Sequence, residues 1–227
     1  MHIPGHVIDA PTSFAAGGVA AGFVAVAVHK ARQDDLGSRA AMTALVAAFV
    51  FASQMLNFPV AGGTSGHMLG GLLAAVLLGP WLGSLAVSSV LVVQCVLYGD
   101  GAVTALGLNI VNMAVVPAFA AYGLFLLARR ALPADRRSVL LATAMASFAS
   151  VVLAALAFTV EYAVGGNGAA SITTAAVAMV RVHVLIGLGE AAIATLTVAA
   201  VLATRPDLVF GARDLDRPLR GAALGAR

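Results

Sequence analysis

Residues 103–128 read VTALGLNIVNMAVVPAFAAYGLFLLA, and this stretch decides the fold class. It contains no Asp, Glu, Lys or Arg, and Arg129 and Arg130 follow it directly. A helix needs about 20 consecutive apolar residues to cross a lipid bilayer. An uncharged stretch of this length that ends at two arginines predicts a membrane-spanning helix.

Stretches of the same kind recur along the whole chain. Of its 227 residues, 61% are hydrophobic and 10% are charged, whereas a soluble domain carries about 25% charged residues. The sequence therefore predicts an all-α integral membrane protein with about seven transmembrane helices. The third of these is short, and the seventh is long enough to require tilt or an outside turn that leaves 182–203 as the crossing. We expect the spans near 13–30, 40–58, 66–79, 83–99, 103–128, 138–163 and 171–203.

The basic residues predict the orientation and exclude a nucleic-acid partner. The net charge is +3, but Lys and Arg cluster in three segments between or after the spans, at 30–39, 129–137 and 205–227. Seven spans place these segments on one side, which the positive-inside rule makes the cytoplasm. We therefore expect the N-terminus outside and the C-terminus in the cytoplasm, with a single transmembrane metal-binding domain over 1–204 and a polar tail over 205–227.

The opening residues, MHIPGH, form a potential chelating segment within residues 1–12. No Lys or Arg occurs there, so we expect no secretory signal and a retained Met1. The α-amine, the deprotonated amide nitrogen of His2 and the Nδ1 atom of His2 can close two chelate rings around one metal ion. These three nitrogens lie in a plane, and a fourth donor completes the square that is typical of Ni(II) or Cu(II).

His67 is the candidate fourth donor. It follows a glycine-rich loop containing Gly62, Gly63 and Gly66, where the backbone can approach an inserted peptide closely. The alternative for this histidine alone is a hydrogen-bonded packing role. Because Cys95 is the only cysteine, a thiolate metal site within one chain is excluded.

Four segments together carry a family resemblance: MHI at the start, NFPVAGGTSGHMLGGLLAAVLLGPWLG at 57–83, VQCVLYGDGAVTALGLNIVNM at 93–113 and HVLIGLGEAAIATL at 183–196. They resemble the CbiM/NikM family, the substrate-binding membrane component of cobalt and nickel energy-coupling-factor (ECF) transporters. The resemblance implies that the N-terminal peptide inserts into the helical bundle and that Met1, His2 and His67 bind the metal. The chain departs from the family where an acidic residue commonly follows MHI, since it reads MHIPGHVID.

The resemblance also implies the function and the partners. The chain would be the substrate-specific component of an importer in a prokaryotic cell membrane, with Co2+ or Ni2+ as the transported substrate. Its partners would be a transmembrane coupling protein, two cytosolic ATPases and a small accessory membrane subunit of the CbiN/NikN type. The chain contains no Walker A motif, so we expect no bound ATP and no enzymatic activity of its own.

Four further polar residues lie near the expected outer side. Asn57 and Asn109 could hold His2 or His67 by hydrogen bonds or could join helices. Asp100 could attract the cation, although a turn role between two glycines is favoured. His6 could be an additional ligand, but a surface imidazole after Pro4-Gly5 is the favoured interpretation.

A second polar set lies in the last predicted span. His183 and Glu190 are seven residues apart and share a helix face. They could form a relay, but a buried structural hydrogen bond is the favoured interpretation. Arg181 points away from that face, and Glu161 is its candidate partner.

Two other functional classes stay open from the sequence. GTSG at 63–66 matches the GxSG of rhomboid intramembrane proteases, with Ser65 as nucleophile and His183 as base. A passive cation channel is the other alternative. Labelling by a fluorophosphonate probe would indicate the protease, and bound nickel or cobalt would exclude both.

Overall fold

The computed structural model describes residues 2–33, 36–56, 58–59 and 65–215, and within them the chain forms a bundle of seven helices. Two short antiparallel strands, β1 (Phe58–Pro59) and β2 (Ser65–Gly66), precede the third helix, with Phe58 opposite Gly66. The helices are α1 (Ala10–Gln33), α2 (Leu36–Met55), α3 (Gly71–Leu78), α4 (Pro80–Tyr98), α5 (Val103–Ala131), α6 (Arg136–Gly165) and α7 (Ile172–Thr204).

Five of these helices, α1, α4, α5, α6 and α7, are long and apolar enough to cross a membrane. A shorter apolar helix, Arg39–Met55, forms most of α2. Large apolar side chains such as Phe14, Leu127 and Leu196 are more than half exposed on the outside of the bundle. A water-soluble protein would bury most side chains of this kind, whereas lipid tails can surround them. The prediction of a helical membrane protein is confirmed.

The third predicted span, 66–79, was placed too early and is only partly helical. Residues 67–70 form a loop, and α3 begins at Gly71 and ends at Leu78. Eight residues cover about 12 Å, which is less than half of a bilayer core. All eight residues are buried, so α3 is a short central helix that the other helices surround. Its beginning therefore lies inside the bundle, where it positions the loop that carries His67.

The helix α5 departs from regular α geometry around a proline. It begins with a 3-10 turn at Val103–Ala105 and contains two π-helical turns, at Val111–Val115 and Pro117–Ala121. Proline has no N–H and crowds the carbonyl four residues earlier, so it disturbs the regular hydrogen-bond ladder. The proline is Pro117, and α3 packs closely against this part of α5. A Cβ atom on Gly71 would lie 2.5 Å from the carbonyl oxygen of Met113.

The helix α7 is continuous, so the outside turn considered for 171–181 is not present. Its 33 residues span about 50 Å, which is longer than the bilayer core and requires tilt or extension beyond it. It packs against α6, the helix that precedes it in the chain. The loop between them, residues 166–171, lies at the end of the bundle where the chain begins.

Helices α1 and α5 cross at two glycines. A Cβ atom on Gly107 would lie 2.4 Å from the Cα atom of Gly17, so the two backbones touch at this point. Gly18 and Gly22 have open space around them instead. The small residues of α1 therefore serve packing within the chain at Gly17, and the contact brings the start of α5 beside the N-terminal segment.

The segment after α7 folds back against the other end of the bundle. Val209 is fully buried, and the ring of Phe210 lies where a Cβ atom on Gly79 would be. Arg129 donates a hydrogen bond to Asp214 at 2.6 Å. Residues up to 215 thus contribute to the apolar core, and the division of the chain at residue 204 stays a prediction.

Candidate metal centre

The N-terminal segment is held in the bundle by backbone hydrogen bonds. The N–H of Ile3 donates to Oδ1 of Asn109 at 2.9 Å, and the carbonyl of Ile3 accepts from the N–H of Ala102 at 3.2 Å. The side chains of Ile3 and Ile8 are 2% and 4% exposed and pack with Leu108 in a small apolar cluster. The peptide is inserted as the resemblance implied.

The loop after α6 holds the other edge of the segment. The N–H of Asp9 donates to the carbonyl of Gly165 at 2.7 Å, and the N–H of Asn167 donates to the carbonyl of Val7 at 3.1 Å. The side chain of Asn167 also donates to the carbonyl of His6 at 2.6 Å. The backbone of residues 3–9 therefore lies between the 101–109 region and the α6–α7 loop.

His2 is fixed by this arrangement beside the loop between α4 and α5. Its side chain is 6% exposed, and its Nε2 atom lies 3.4 Å from Oδ2 of Asp100. Gly101 adopts a left-handed backbone conformation, with φ +83°. A Cβ atom at this glycine would lie 3.3 Å from the Cβ of His2 and 2.8 Å from Nδ2 of Asn109. The position therefore leaves no room for a side chain.

Asp100 forms the expected turn, because its own N–H donates to the carbonyl of Gln94. Its carboxylate is also the acidic group beside His2, at a distance that is longer than a hydrogen bond. A carboxylate at this position favours the tautomer with the proton on Nε2, which is the one that chelation through Nδ1 requires.

His67 lies on the 67–70 loop, and its tautomer follows from its contact. Its Nδ1 atom lies 2.9 Å from the carbonyl oxygen of Met68, which can only accept a hydrogen bond. Nδ1 therefore carries the proton, and the lone pair is on Nε2. The residue is 6% exposed. A neutral imidazole oriented in this way has the electronic form of a metal ligand.

The two histidines face each other. Their ring centroids are 5.0 Å apart, and the ring planes are inclined by 32°. Burial lowers the pKa of His2 to about 4 and that of His67 to about 3. Both imidazoles are therefore neutral at physiological pH and can donate a lone pair to a cation without first losing a proton.

Met1 and Asn57, two residues to which the sequence assigned roles, lie outside the described residues. The same holds for Gly62 and Gly63, and for the side chain of Ser65. Asn109 is next to the site, but it holds the backbone of Ile3 rather than either histidine. Within the described part of the chain, no group of three His, Cys, Asp or Glu side chains comes together as a metal site.

The polar residues of α7 have partners that the sequence did not predict. Both carboxylate oxygens of Glu190 accept backbone hydrogen bonds, from Leu69 at 2.5 Å and from Gly70 at 2.9 Å. His183 instead donates from Nδ1 to the carbonyl of Met179 at 2.7 Å. His183 and Glu190 thus bind different groups although they share a helix face.

The proposed pairing of Arg181 with Glu161 is wrong. Glu161 accepts a hydrogen bond at 2.7 Å from the side chain of Asn112, and Arg181 is exposed. Asn112 approaches from α5, the neighbouring helix, and an amide can satisfy a carboxylate inside a bundle without a charged partner. His6 lies in an exposed turn, in agreement with its favoured interpretation.

Comparisons with known proteins agree on one family. The family model described as "Cobalt uptake substrate-specific transmembrane region", CbiM, matches residues 2–208. A protein of Rhodobacter capsulatus named as a fused nickel transport protein, NikMN, is 38% identical over 164 residues, which are 72% of this chain and 47% of the relative. A cobalt transport protein, CbiM, of Anoxybacillus flavithermus is 36% identical over 121 residues, 53% of this chain and 48% of the relative.

Solved structures with a similar fold are transition metal transporters by their descriptions. The chain superposes on a crystal structure described as a truncated transition metal transporter with a TM-score of 0.80 and 30% sequence identity. The match covers 89% of this chain and 99% of that one. The chain spans about half the length of the curated relatives that it matches.

Proposed function

This chain belongs to the CbiM family of cobalt uptake substrate-specific transmembrane regions, and from that membership we propose that it captures Co2+ or Ni2+ for an importer. The observation that carries the proposal is the pair of buried, neutral imidazoles of His2 and His67 with centroids 5.0 Å apart. Cobalt and nickel ions bind imidazole nitrogen well. The ion is the transported substrate, and no cofactor is needed for its capture.

We assign the metal ligands to Met1, His2 and His67. The terminal amine, the amide nitrogen of His2 and His2 Nδ1 would occupy three corners of a square. The amide nitrogen is the middle donor of this chelate, so the fourth corner is adjacent to the imidazole of His2. His67 Nε2 would occupy that corner.

The separation of the two rings supports adjacent corners. With metal–nitrogen distances of about 2 Å, imidazole centroids lie about 4.5 Å apart at adjacent corners and about 6.3 Å apart at opposite ones. The distance of 5.0 Å between His2 and His67 is nearer the adjacent value. A small inward movement of either ring would complete the square.

Asp100 and Asn109 would support the ligands from outside the square. Asp100 would accept from Nε2–H of His2 and so keep Nδ1 directed at the ion, which is a common arrangement for metal-binding histidines. Asn109 would hold the backbone at Ile3, so the chelating residues immediately before it keep a fixed position.

Transport would require other proteins. We propose an ECF-type importer in a prokaryotic cell membrane, in which a transmembrane coupling protein and two cytosolic ATPases supply the energy. A small membrane subunit of the CbiN/NikN type would complete it, since several relatives are named as fused nickel transport proteins, NikMN or LarMN. The N-terminus and the metal site would face the outside.

Elemental analysis of the purified protein tests the proposal. Cells grown with equal cobalt and nickel should yield protein that contains about one equivalent of these metals together, and the ratio would identify the preferred ion. The variant His29→Ala is the matched control, because His29 is an exposed histidine on α1 that forms a hydrogen bond with Gln33. Wild-type protein without either metal, or metal that is equally retained in His67→Ala, would contradict the proposal.

A further inference from the structure

The loop that carries His67 is held at one residue from two sides. The N–H of Leu69 donates to Oε2 of Glu190 on α7, and the carbonyl of Leu69 accepts from Nε2 of Gln54 on α2 at 2.6 Å. The next N–H, that of Gly70, donates to Oε1 of Glu190. Gln54 and Glu190 are 1% exposed, so water does not compete for these bonds.

We propose that Glu190 is a positioning residue for metal capture, which fixes the 67–70 loop so that His67 faces His2. The inference rests on the proposed function, because it gives His67 the role of a ligand. Glu190 itself does not contact the ion. It acts through the two backbone N–H groups at the beginning of α3.

The chemistry of the contact favours a carboxylate at this position. The N–H groups of Leu69 and Gly70 lie directly before the first turn of α3, where the helix dipole favours negative charge. Each oxygen of Glu190 accepts one of two adjacent N–H groups, so both buried donors have a partner. Glutamine has the same size but one acceptor oxygen, and its NH2 group would face an N–H.

The opposite side of the loop is packed against α2. Gly70 has φ +77°, and a Cβ atom there would lie 2.8 Å from a methyl group of Val50 on α2. If the bonds to Glu190 are lost, the N–H groups of Leu69 and Gly70 are left buried without a partner, which is costly. We expect the loop to shift in response and to displace His67 from His2.

The test compares two glutamates whose carboxylates are hydrogen-bonded within the bundle. Glu190→Gln removes one acceptor from the loop, whereas Glu161→Gln makes the same substitution in α6, where the partner is the side chain of Asn112. Ni2+ affinity is measured in purified full-length protein. We expect at least a tenfold loss in Glu190→Gln, as is usual when the support of a ligand is removed, and an unchanged affinity in Glu161→Gln.

The absorption spectrum of bound Cu2+ separates displacement of His67 from general loss of stability. Water is a weaker-field ligand than imidazole, so loss of the fourth nitrogen moves the d–d band to longer wavelength. The band of Glu190→Gln should move toward that of His67→Ala, and the band of Glu161→Gln should stay at the wild-type position. Wild-type affinity and a wild-type band in Glu190→Gln would overturn the inference.

Hydrogen exchange of the metal-free protein gives a readout that does not depend on metal. The amides of Leu69 and Gly70 should lose protection in Glu190→Gln while those of α5 keep it. If the wild-type protein bound no metal, the proposed function would fail, and this exchange would still decide whether Glu190 holds the loop.

A second variant covers a failure of Glu190→Gln to fold. Glu190→Asp keeps two acceptor oxygens but shortens the side chain by one methylene, so it cannot keep both bonds to the loop. It should weaken Ni2+ binding at least fivefold and move the band in the same direction. Unchanged affinity in this variant would also overturn the inference, because the loop would then keep its position without the paired bonds to Glu190.

Discussion

Asn109 binds the backbone N–H of Ile3 at 2.9 Å, although the two residues are 106 positions apart in the sequence. The bond joins the start of the chain to α5 at the residue directly after Met1 and His2, the proposed chelating pair. Ile3 is buried, so this backbone position cannot shift without exposing a polar group or opening the core. The spacing between the chain start and Ile3 therefore determines where the nitrogens of the N-terminus lie.

This fixed point leads to a prediction on N-terminal insertions. Met before a bulky residue such as His is generally retained, whereas Ala inserted after Met1 allows removal of Met. The mature start is then Ala-His-Ile, which keeps the distance between the amine and Ile3. We expect nearly normal metal binding and uptake of radioactive nickel or cobalt by cells.

Insertion of Leu after Met1 is the matched variant that should fail. Met is then retained, and the start Met-Leu-His-Ile places the histidine third. Such a peptide supplies four nitrogens of its own and leaves no corner for His67, so uptake should collapse even if metal binds. An N-terminal tag, which converts the amine to an amide, should also abolish uptake. Equal uptake by all three proteins would refute the dependence on spacing.

His67→Ala should fold and insert normally but bind Ni2+ or Co2+ at least about tenfold more weakly, because one of four ligands is lost. Isothermal titration of purified protein measures the affinity. His29→Ala, which removes an exposed histidine near the C-terminal end of α1, should retain wild-type affinity. Loss in both variants, or in neither, would remove His67 from the site.

Gly101→Ala should weaken metal binding at least tenfold, and Gly99→Ala should not. Both glycines have left-handed backbone conformations, with φ +83° and +65°, so both variants lose about 1–2 kcal/mol through backbone strain. Only the new methyl group at position 101 would contact Asn109 and His2, whereas at Gly99 no described atom beyond the neighbouring residues lies within 4 Å of the corresponding position. Metal titration and thermal unfolding of both variants separate crowding from strain, and equal affinities would argue against the placement of His2.

Metal affinity should fall as the pH falls from 8 to 6, since the amine, with an ordinary pKa of about 7.7–8.0, and the amide must lose protons to bind metal. The imidazoles add nothing to this slope, because burial lowers the pKa of His2 to about 4 and that of His67 to about 3. Their protonation opposes binding only below about pH 5. The slope between pH 8 and 6 should therefore be the same in His67→Ala as in the wild type. A flat profile from pH 8 to pH 5 would favour carboxylate ligands.

The orientation can be tested with single cysteines in the Cys95→Ala background. Ala169 and Ala134 are exposed and lie in loops at opposite ends of the bundle, after α6 and before α6. Cysteine at position 169 should react with an impermeant maleimide in intact cells, and cysteine at 134 should react only after lysis. The reverse pattern would place the metal site in the cytoplasm.

The sequence predicted the class of protein and the meeting of His2 with His67, because hydropathy and the family motifs are local signals. It did not predict the start of α3, since the loop 67–70 is as apolar as a helix. Burial among the other helices leaves no local pattern in such a segment.

The partners of the carboxylates were harder to predict. Glu190 binds backbone N–H groups 120 and 121 positions away, and any residue type can supply such groups. No spacing in the sequence indicates this contact. Glu161 binds the side-chain amide of Asn112 and not Arg181, because Arg181 lies on the exposed side of α7. Tertiary packing therefore determines the partners of both glutamates, and the charges in the sequence alone do not indicate it.

The order of synthesis adds a consequence to the contact between Glu190 and the 67–70 loop. His67 leaves the ribosome about 120 residues before Glu190, a delay on the order of ten seconds at typical elongation rates. During this interval the last helix, which holds the loop, does not yet exist. If Glu190 positions His67 as proposed, a nascent chain would bind metal more weakly than the finished protein, and the capture site would mature only at the end of translation.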